Sequence, residues 1–224
     1  MDRYIRHLQL DGFGPQCQQS LSQASVLIVG AGALGTVCGM YLAAAGVGSI
    51  HVADFDSIDI TNLQRQLAFT EADLGKPKAE TLAGKMRAIN SQISATVHSG
   101  RFAEDMLKGI DLLVEASDNP ATKYIATDIA EASGIPYVFG GVAQWRGQVM
   151  CWAPGHRGYR HIFPEAADSY TSAAKGGVFS PLPGIIASIQ AAEAIKIIAG
   201  TGTPLFDSLL MLDSRTMSFS KIEF

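Results

Sequence analysis

Cysteine is scarce in this chain of 224 residues: Cys17, Cys38 and Cys151 stand far apart and odd in number. Neither a disulfide framework nor a four-thiolate metal site can be built from them. Each is expected to be a small packing residue, Cys38 in an apolar helical stretch and Cys151 in the strand-like "GQVMCWA". An excess of positive charge is also lacking. Seventeen Lys and Arg against 21 Asp and Glu leave a net charge of -4, with the cations scattered, so no nucleic-acid partner is expected. Long unbroken apolar runs are missing too. "GIIASIQAAEAIKII" is interrupted by Gln190, Glu193 and Lys196, and "MDRYIRHLQL" is charged where a signal peptide would be apolar. No membrane association is expected, and the location is expected to be cytoplasmic. Aromatic residues make up only 8% of a chain that is 47% apolar, which suits one soluble domain spanning residues 1–224.

What is present is an alternation. "SVLIVG" reads as a buried strand, "LGTVCGMYLAAAG" as a helix closed by Gly46, and "SIHVADFD" as a second strand, together a βαβ unit. "KPKAETLAGKMRAIN" carries Leu82, Met86 and Ile89 at helical spacing, with Pro77 suited to a first turn. "ISATVHS", "DLLVEAS" and "PYVFGGV" are short strands, and "NPATKYIATDIAEASG" is a helix ended by Gly134. From about 154 to 183 the pattern lapses into a Gly-, Pro- and Ser-rich crossover loop, read as a segment over a site. "GIIASIQAAEAIKIIAG" then returns as a core helix, and "SLLMLDS" and "TMSFSKIEF" close as an antiparallel pair. The expected fold class is α/β: a Rossmann-like, doubly wound, mostly parallel sheet with helices on both faces and a C-terminal antiparallel extension.

"GAGALG" places Gly30, Gly32 and Gly35 at G-x-G-x-x-G spacing between a strand and a helix, where backbone N–H groups can face a phosphate. Asp54 ends the next strand, where a carboxylate can accept from ribose hydroxyls. That pair indicates an adenosine nucleotide without saying which. An NAD-dependent oxidoreductase would explain the glycines and Asp54, but not the three polar groups that follow: Arg65 within "DFDSIDITNLQRQ", Lys78 at a helix start, and Asp118 after the strand "DLLVEAS". Two cations and a spare carboxylate suit a triphosphate with magnesium. Arg65 would fork onto phosphate oxygens, Lys78 would supply a point charge near the α-phosphate, and Asp118 would hold the metal. His51, His98 and His156 show no partner pattern and are read as structural or solvated.

In order along the chain, "RYIRHLQL", "GAGALG", "DFDSIDITNLQRQ", "GKPKAE", "ASDN" and "GVFSPLPGIIASIQAAEAIK" resemble the motifs of the ThiF/MoeB/HesA family, bacterial relatives of ubiquitin-activating enzymes. The resemblance implies an ATP- and Mg-dependent adenylyltransferase. It would activate the C-terminal Gly-Gly tail of a small ubiquitin-like sulfur carrier protein such as ThiS or MoaD, working as a homodimer. It places Gly30, Gly32, Ala33, Gly35, Asp54, Asp56, Asn62, Arg65, Gln66, Lys78, Asp118 and Asn119 at the nucleotide, Asp118 at magnesium, and Arg6 at the triphosphate of the neighbouring subunit. Arg6, Arg65, Lys78 and Asp118 would be the catalytic set.

Departures from the family pattern carry expectations of their own. Ala33 replaces a glycine beside the nucleotide, and Lys123 stands where an arginine is common. "GYRHIFPE" offers Gly158 and His161 where zinc-bearing members have CxxC, so no zinc is expected. Ala173, beside Ser172, occupies the place of the crossover-loop cysteine, so the chemistry should stop at the acyl-adenylate and leave sulfur to a separate donor. A catalytically silent scaffold that binds a carrier is the alternative these losses suggest.

Overall fold

A computed structural model describes residues 3–164 and 176–224. Along the chain the elements are α1 (Ile5–Leu8), α2 (Gly14–Gln23), β1 (Ser25–Val29), α3 (Ala33–Ala45), β2 (Ser49–Ala53), α4 (Lys78–Ile89), β3 (Ser94–His98), β4 (Leu112–Glu115) and α5 (Pro120–Ala132). They continue with β5 (Tyr137–Ala143), β6 (Arg146–Trp152), α6 (Tyr159–Ile162), α7 (Leu182–Ala199), β7 (Ser208–Asp213) and β8 (Ser218–Glu223). All eight strands form one sheet in the order β3-β2-β1-β4-β5-β6-β7-β8. The first five are parallel, as the alternation predicts, and the last three antiparallel, the expected closing pair β7 and β8 being joined by β6.

Strands β1, β4 and β5 are apolar without alternation because both faces of the sheet are covered. Val26, Ile28, Leu112, Val114 and Val138 face one side, where they pack with Leu34, Cys38 and Leu42 of α3, Leu82 and Met86 of α4, and Ile186 and Ala191 of α7. Leu27, Val29, Leu113, Tyr137 and Phe139 face the other, against Tyr124 and Ala130 of α5 and Tyr159 of α6. Each fully buried aliphatic side chain contributes about 1.5–3 kcal/mol. Truncating one that is wholly enclosed, such as Leu42→Ala, would cost about 2–5 kcal/mol.

Helix α7 is long and apolar enough to cross a bilayer by composition. It packs instead against α3, β5 and β6, and its buried Gln190 donates through Nε2 to the Glu115 carbonyl at 2.9 Å. Cys38 and Cys151 are buried as expected. Burial pushes the Cys38 thiol up to about 12 and raises Cys151 as well, so neither offers a thiolate.

Several details differ from the sequence reading. Helix α2 had no clear signal, because its run "GPQCQQSLSQ" is largely polar. It is held by Leu21 in the core and by Gln18, whose Nε2 donates to the Ala45 carbonyl at 2.8 Å. Pro77 caps α4 rather than entering it. Within the expected 154–183 loop, α6 already forms, and α7 begins at Leu182. Ser172 and Ala173 lie outside the described residues. The histidines do find partners. His51 Nδ1 and His98 Nε2 lie 3.1 Å apart across β2 and β3, and His156 Nδ1 is 2.7 Å from Asp207 Oδ2. These contacts depend on strand register and long-range packing, so no local pattern announces them.

Candidate functional site

In a doubly wound sheet, the crevice opens where neighbouring strands feed crossovers in opposite directions, here between the carboxyl ends of β1 and β4. The two ends approach closely. A Cβ on Gly30, whose φ is +99°, would lie 2.9 Å from the Ala116 carbonyl oxygen. Gly35 meets a different constraint: its Cβ would lie 1.8 Å from the Gly30 carbonyl oxygen, so it serves the packing of α3 onto β1 and does not line the cavity. Gly32 is the N-cap of α3 and makes no side-chain cap, leaving the first N–H groups of a 13-residue helix facing the crevice. A Cβ there would meet only Gln66 Nε2, at 3.7 Å.

The cavity at this crevice has a volume of about 410 Å³, within the range of sites for small molecules. Gly30, Gly32, Ala33, Asp54, Asp56, Arg65, Gln66, Lys78, Asp118 and Asn119 all line it. Three of the expected residues do not: Gly35, which packs α3 onto β1, Asn62 and Arg6. The side chain of Asn62 caps its own turn, its Oδ1 accepting from Asp59 N at 3.1 Å. Arg6 is exposed on α1 and donates to Gln9 Oε1 at 3.3 Å.

Each lining group has a local reason for its place. Asp54 Oδ2 accepts from Ala31 N at 2.6 Å, tying the glycine-rich turn to β2, while Oδ1 accepts from Asp56 N at 2.7 Å. Burial pushes the Asp54 carboxyl up from its ordinary value, and these two N–H groups and Lys78 oppose the shift. Lys78 is the first residue of α4 and is buried. Its N–H donates to the Asp56 carbonyl and its Nζ sits 2.9 Å from Asp56 Oδ2, so Asp56 holds both ends of the residue. The Arg65 guanidinium makes one hydrogen bond among the described residues, from Nη1 to the Thr61 carbonyl at 2.9 Å, which leaves its other donors for a ligand. Buried Gln66 has an Oε1 with no hydrogen-bond partner among the described residues, an orphan in the cavity wall that a ligand could satisfy. Asp118 is exposed and its carboxylate has no hydrogen bond among the described residues, whereas the neighbouring Asn119 Oδ1 caps α5 by accepting from Ala121 N at 2.9 Å. No cluster of three metal-ligating side chains occurs among the described residues.

Other lining residues were not among the expected site residues, Lys123 having been noted only as standing where an arginine is common. Lys123 lies at the cavity floor, 2.6 Å from Glu115 Oε2 and 2.9 Å from the Gly140 carbonyl. Glu115 is fully buried. Burial pushes its carboxyl up, with Lys123 and then Ser117 opposing. At one lip the Arg101 guanidinium stacks on the exposed Phe55 ring at 4.8 Å. At the opposite end Arg146 and Gln148 of β6 and Met211 of β7 form a wall. Register alone delivers these last three, since Gln148 pairs with Gly141 on one side and Met211 on the other.

The family model described as ThiF family matches residues 4–224. The chain belongs to the ThiF family. Among its relatives is the sulfur carrier protein adenylyltransferase of Thermus thermophilus, 39% identical over 99% of this chain and 86% of the relative. The SAMP-activating enzyme E1 of Haloferax volcanii is 38% identical over 100% of this chain and 85% of its own. Among solved structures, E. coli MccB with AMPCPP and selenomethionine MccA superposes with a TM-score of 0.87 at 26% identity, covering 99% of this chain and 71% of that one. The ThiF membership and the MccB likeness agree with the mixed sheet described above.

Proposed function

We propose that this ThiF-family chain is an ATP- and magnesium-dependent adenylyltransferase that activates the C-terminal glycine of a small ubiquitin-like sulfur carrier protein. The observation that carries the reading is the placement of Arg65, Lys78 and Asp118 around one cavity that also holds the glycine-rich turn and Asp54. The names of the Thermus and Haloferax relatives support it. The donor chemistry fits ATP: uncapped N–H groups of α3 and two cations for phosphates, and an acid beside them for a ribose.

In this reading a carboxylate oxygen of the carrier attacks the α-phosphorus, the bond to the bridging oxygen of the β-phosphate breaks, and pyrophosphate leaves. The carboxylate is already ionised at neutral pH, so no general base is needed. Lys78, fixed by Asp56, and Arg65 neutralise charge as it moves toward the leaving group, and Arg6 of a second subunit would join them. Asp118, exposed and without a hydrogen bond among the described residues, would suit a magnesium ion, which would supply further charge neutralisation on the pyrophosphate. The product is the acyl-adenylate, with sulfur delivered by a separate donor. The protein would act as a cytoplasmic homodimer.

The test is carrier-dependent ATP–pyrophosphate exchange in wild type and Lys78→Ala. A loss of about a hundredfold or more is expected, the usual scale for removing one charge-stabilising group. Equal rates would show that the phosphates lie elsewhere, and exchange absent from the wild type would favour a silent scaffold.

A further inference from the structure

The cavity does not end at the nucleotide groups. It runs over the face of β5 and β6 that carries Gly141 and Ala143, where the side chains are small, and reaches Arg146. Val178 lines this cavity and also a second one at the tip of the β5–β6 hairpin, so the two adjoin. A strap crosses at that point. Gln144 N donates to the Gly177 carbonyl at 3.0 Å, Phe179 N donates to the Gln144 carbonyl at 2.8 Å, and Ser180 Oγ donates to the Gln64 carbonyl. The strap thus joins the hairpin to the turn bearing Arg65.

At the strap lies a net positive rim. Arg146 Nε is 3.3 Å from Asp213 Oδ2, its single hydrogen bond among the described residues, and its side chain is 75% exposed. Such a pair contributes little and yields readily to a better acceptor. Arg215 adds a second guanidinium, stacked 5.2 Å over Trp145, and the Trp145 ring in turn stacks on Phe179 at 4.6 Å. Asp213 also accepts from Arg215 N at 3.0 Å, so this one carboxylate is held by the Arg146 guanidinium and the Arg215 backbone, beside two stacked aromatic rings that carry the second guanidinium.

We propose that Arg146, supported by Arg215, reads an acidic side chain about three residues before the terminal glycine of the polypeptide substrate. This rests on the adenylylation reading and adds the part of the tail that is selected. The spacing follows from the strand. With the reacting carboxylate placed above Lys123, which contacts the Gly140 carbonyl, the tail would run along β5 to Ala143, the register partner of Arg146, and three residues of extended chain cover about 10 Å. A guanidinium fork matches a carboxylate bidentately, and a lysine at that tail position would meet the like charge of Arg146.

The experiment measures pyrophosphate exchange with a Gly-Gly-ending sulfur carrier, the one from Thermus thermophilus, and with synthetic decapeptides ending in Gly-Gly. Asp, Ala or Lys is placed three residues before the last glycine. Wild type is expected to show the lowest KM for Asp and the highest for Lys, with Asp and Lys separated by about tenfold or more and kcat alike, since the contact is made equally before and during reaction. Arg146→Glu should invert the order, and Arg146→Gln should flatten it. Brisk exchange with equal KM for all three tails, or an order unchanged in Arg146→Glu, overturns the proposal and leaves the adenylation reading intact. Exchange with no carrier or peptide overturns both.

Discussion

Lys123 Nζ lies 2.6 Å from Glu115 Oε2, and the two form a nearly buried ion pair beneath the cavity. Ser117 N donates to the other carboxylate oxygen at 3.0 Å, Ser117 Oγ adds a second bond to it, and Lys123 also covers the Phe139 ring at 4.8 Å. Removing one partner leaves a buried charge uncompensated. Glu115→Gln is therefore expected to lower unfolding stability by about 3–5 kcal/mol, while Glu115→Leu with Lys123→Met should cost far less. Urea denaturation of both variants measures the difference, and equal losses would mean that the pair is not coupled.

The glycines of the turn separate packing from binding. Gly35→Ala forces a methyl against the Gly30 carbonyl oxygen at 1.8 Å and Ile28 Cγ2 at 3.2 Å, and backbone cannot yield as a side chain can. A loss of about 1–3 kcal/mol or more is expected. Gly32→Ala has room beside Gln66, so it should keep its Tm and lose nucleotide affinity. Thermal melts and ATP titration together read the contrast.

Acid sensitivity should concentrate at Asp73. Lys85 and then Lys76 hold its carboxyl well below the usual range, and Thr70 N adds a bond at 3.1 Å. A depressed folded value means that this stabilisation is complete above the unfolded value near ~4 and is lost as pH falls through the lower folded one. Asp73→Asn should melt earlier at neutral pH and show a flatter pH dependence in the acid range. Melting curves across that range would show no such flattening if the carboxylate were idle.

Asp118 is expected to affect activity and not folding. It is exposed and makes no hydrogen bond among the described residues, so Asp118→Asn should change stability by less than about 0.5 kcal/mol. Exchange activity should fall and the magnesium concentration for half-maximal rate should rise. An unchanged magnesium requirement would remove Asp118 from the metal site.

Arg6 can be tested by mixing subunits. Arg6→Ala and Lys78→Ala should each be weak alone. Co-refolded, they should recover activity, because a hybrid dimer that shares arginines across the interface has one site with both residues intact. No recovery would place Arg6 at the site of its own chain or at none.

Much of this was legible along the chain. The buried strands "SVLIV" and "LLVE", the helix closed by Gly46, and the antiparallel closing pair follow from apolar period and turn chemistry, which act between near neighbours. Lys78 and Asp118 were placed at a helix start and after a strand end, and such positions converge in a doubly wound sheet. Asn62 shows the limit: its motif points to a nucleotide, yet its side chain bonds to the turn at Asp59.

What tertiary structure decided is which distant segments share the cavity. Nothing near Arg146, Gln148 or Met211 in the chain reveals that antiparallel register carries them to the wall of a site begun by residue 30. Local sequence sets which face of a strand each side chain takes. Neighbouring strands are selected by the packing of the whole chain, and so are the partners of Glu115 and Arg146.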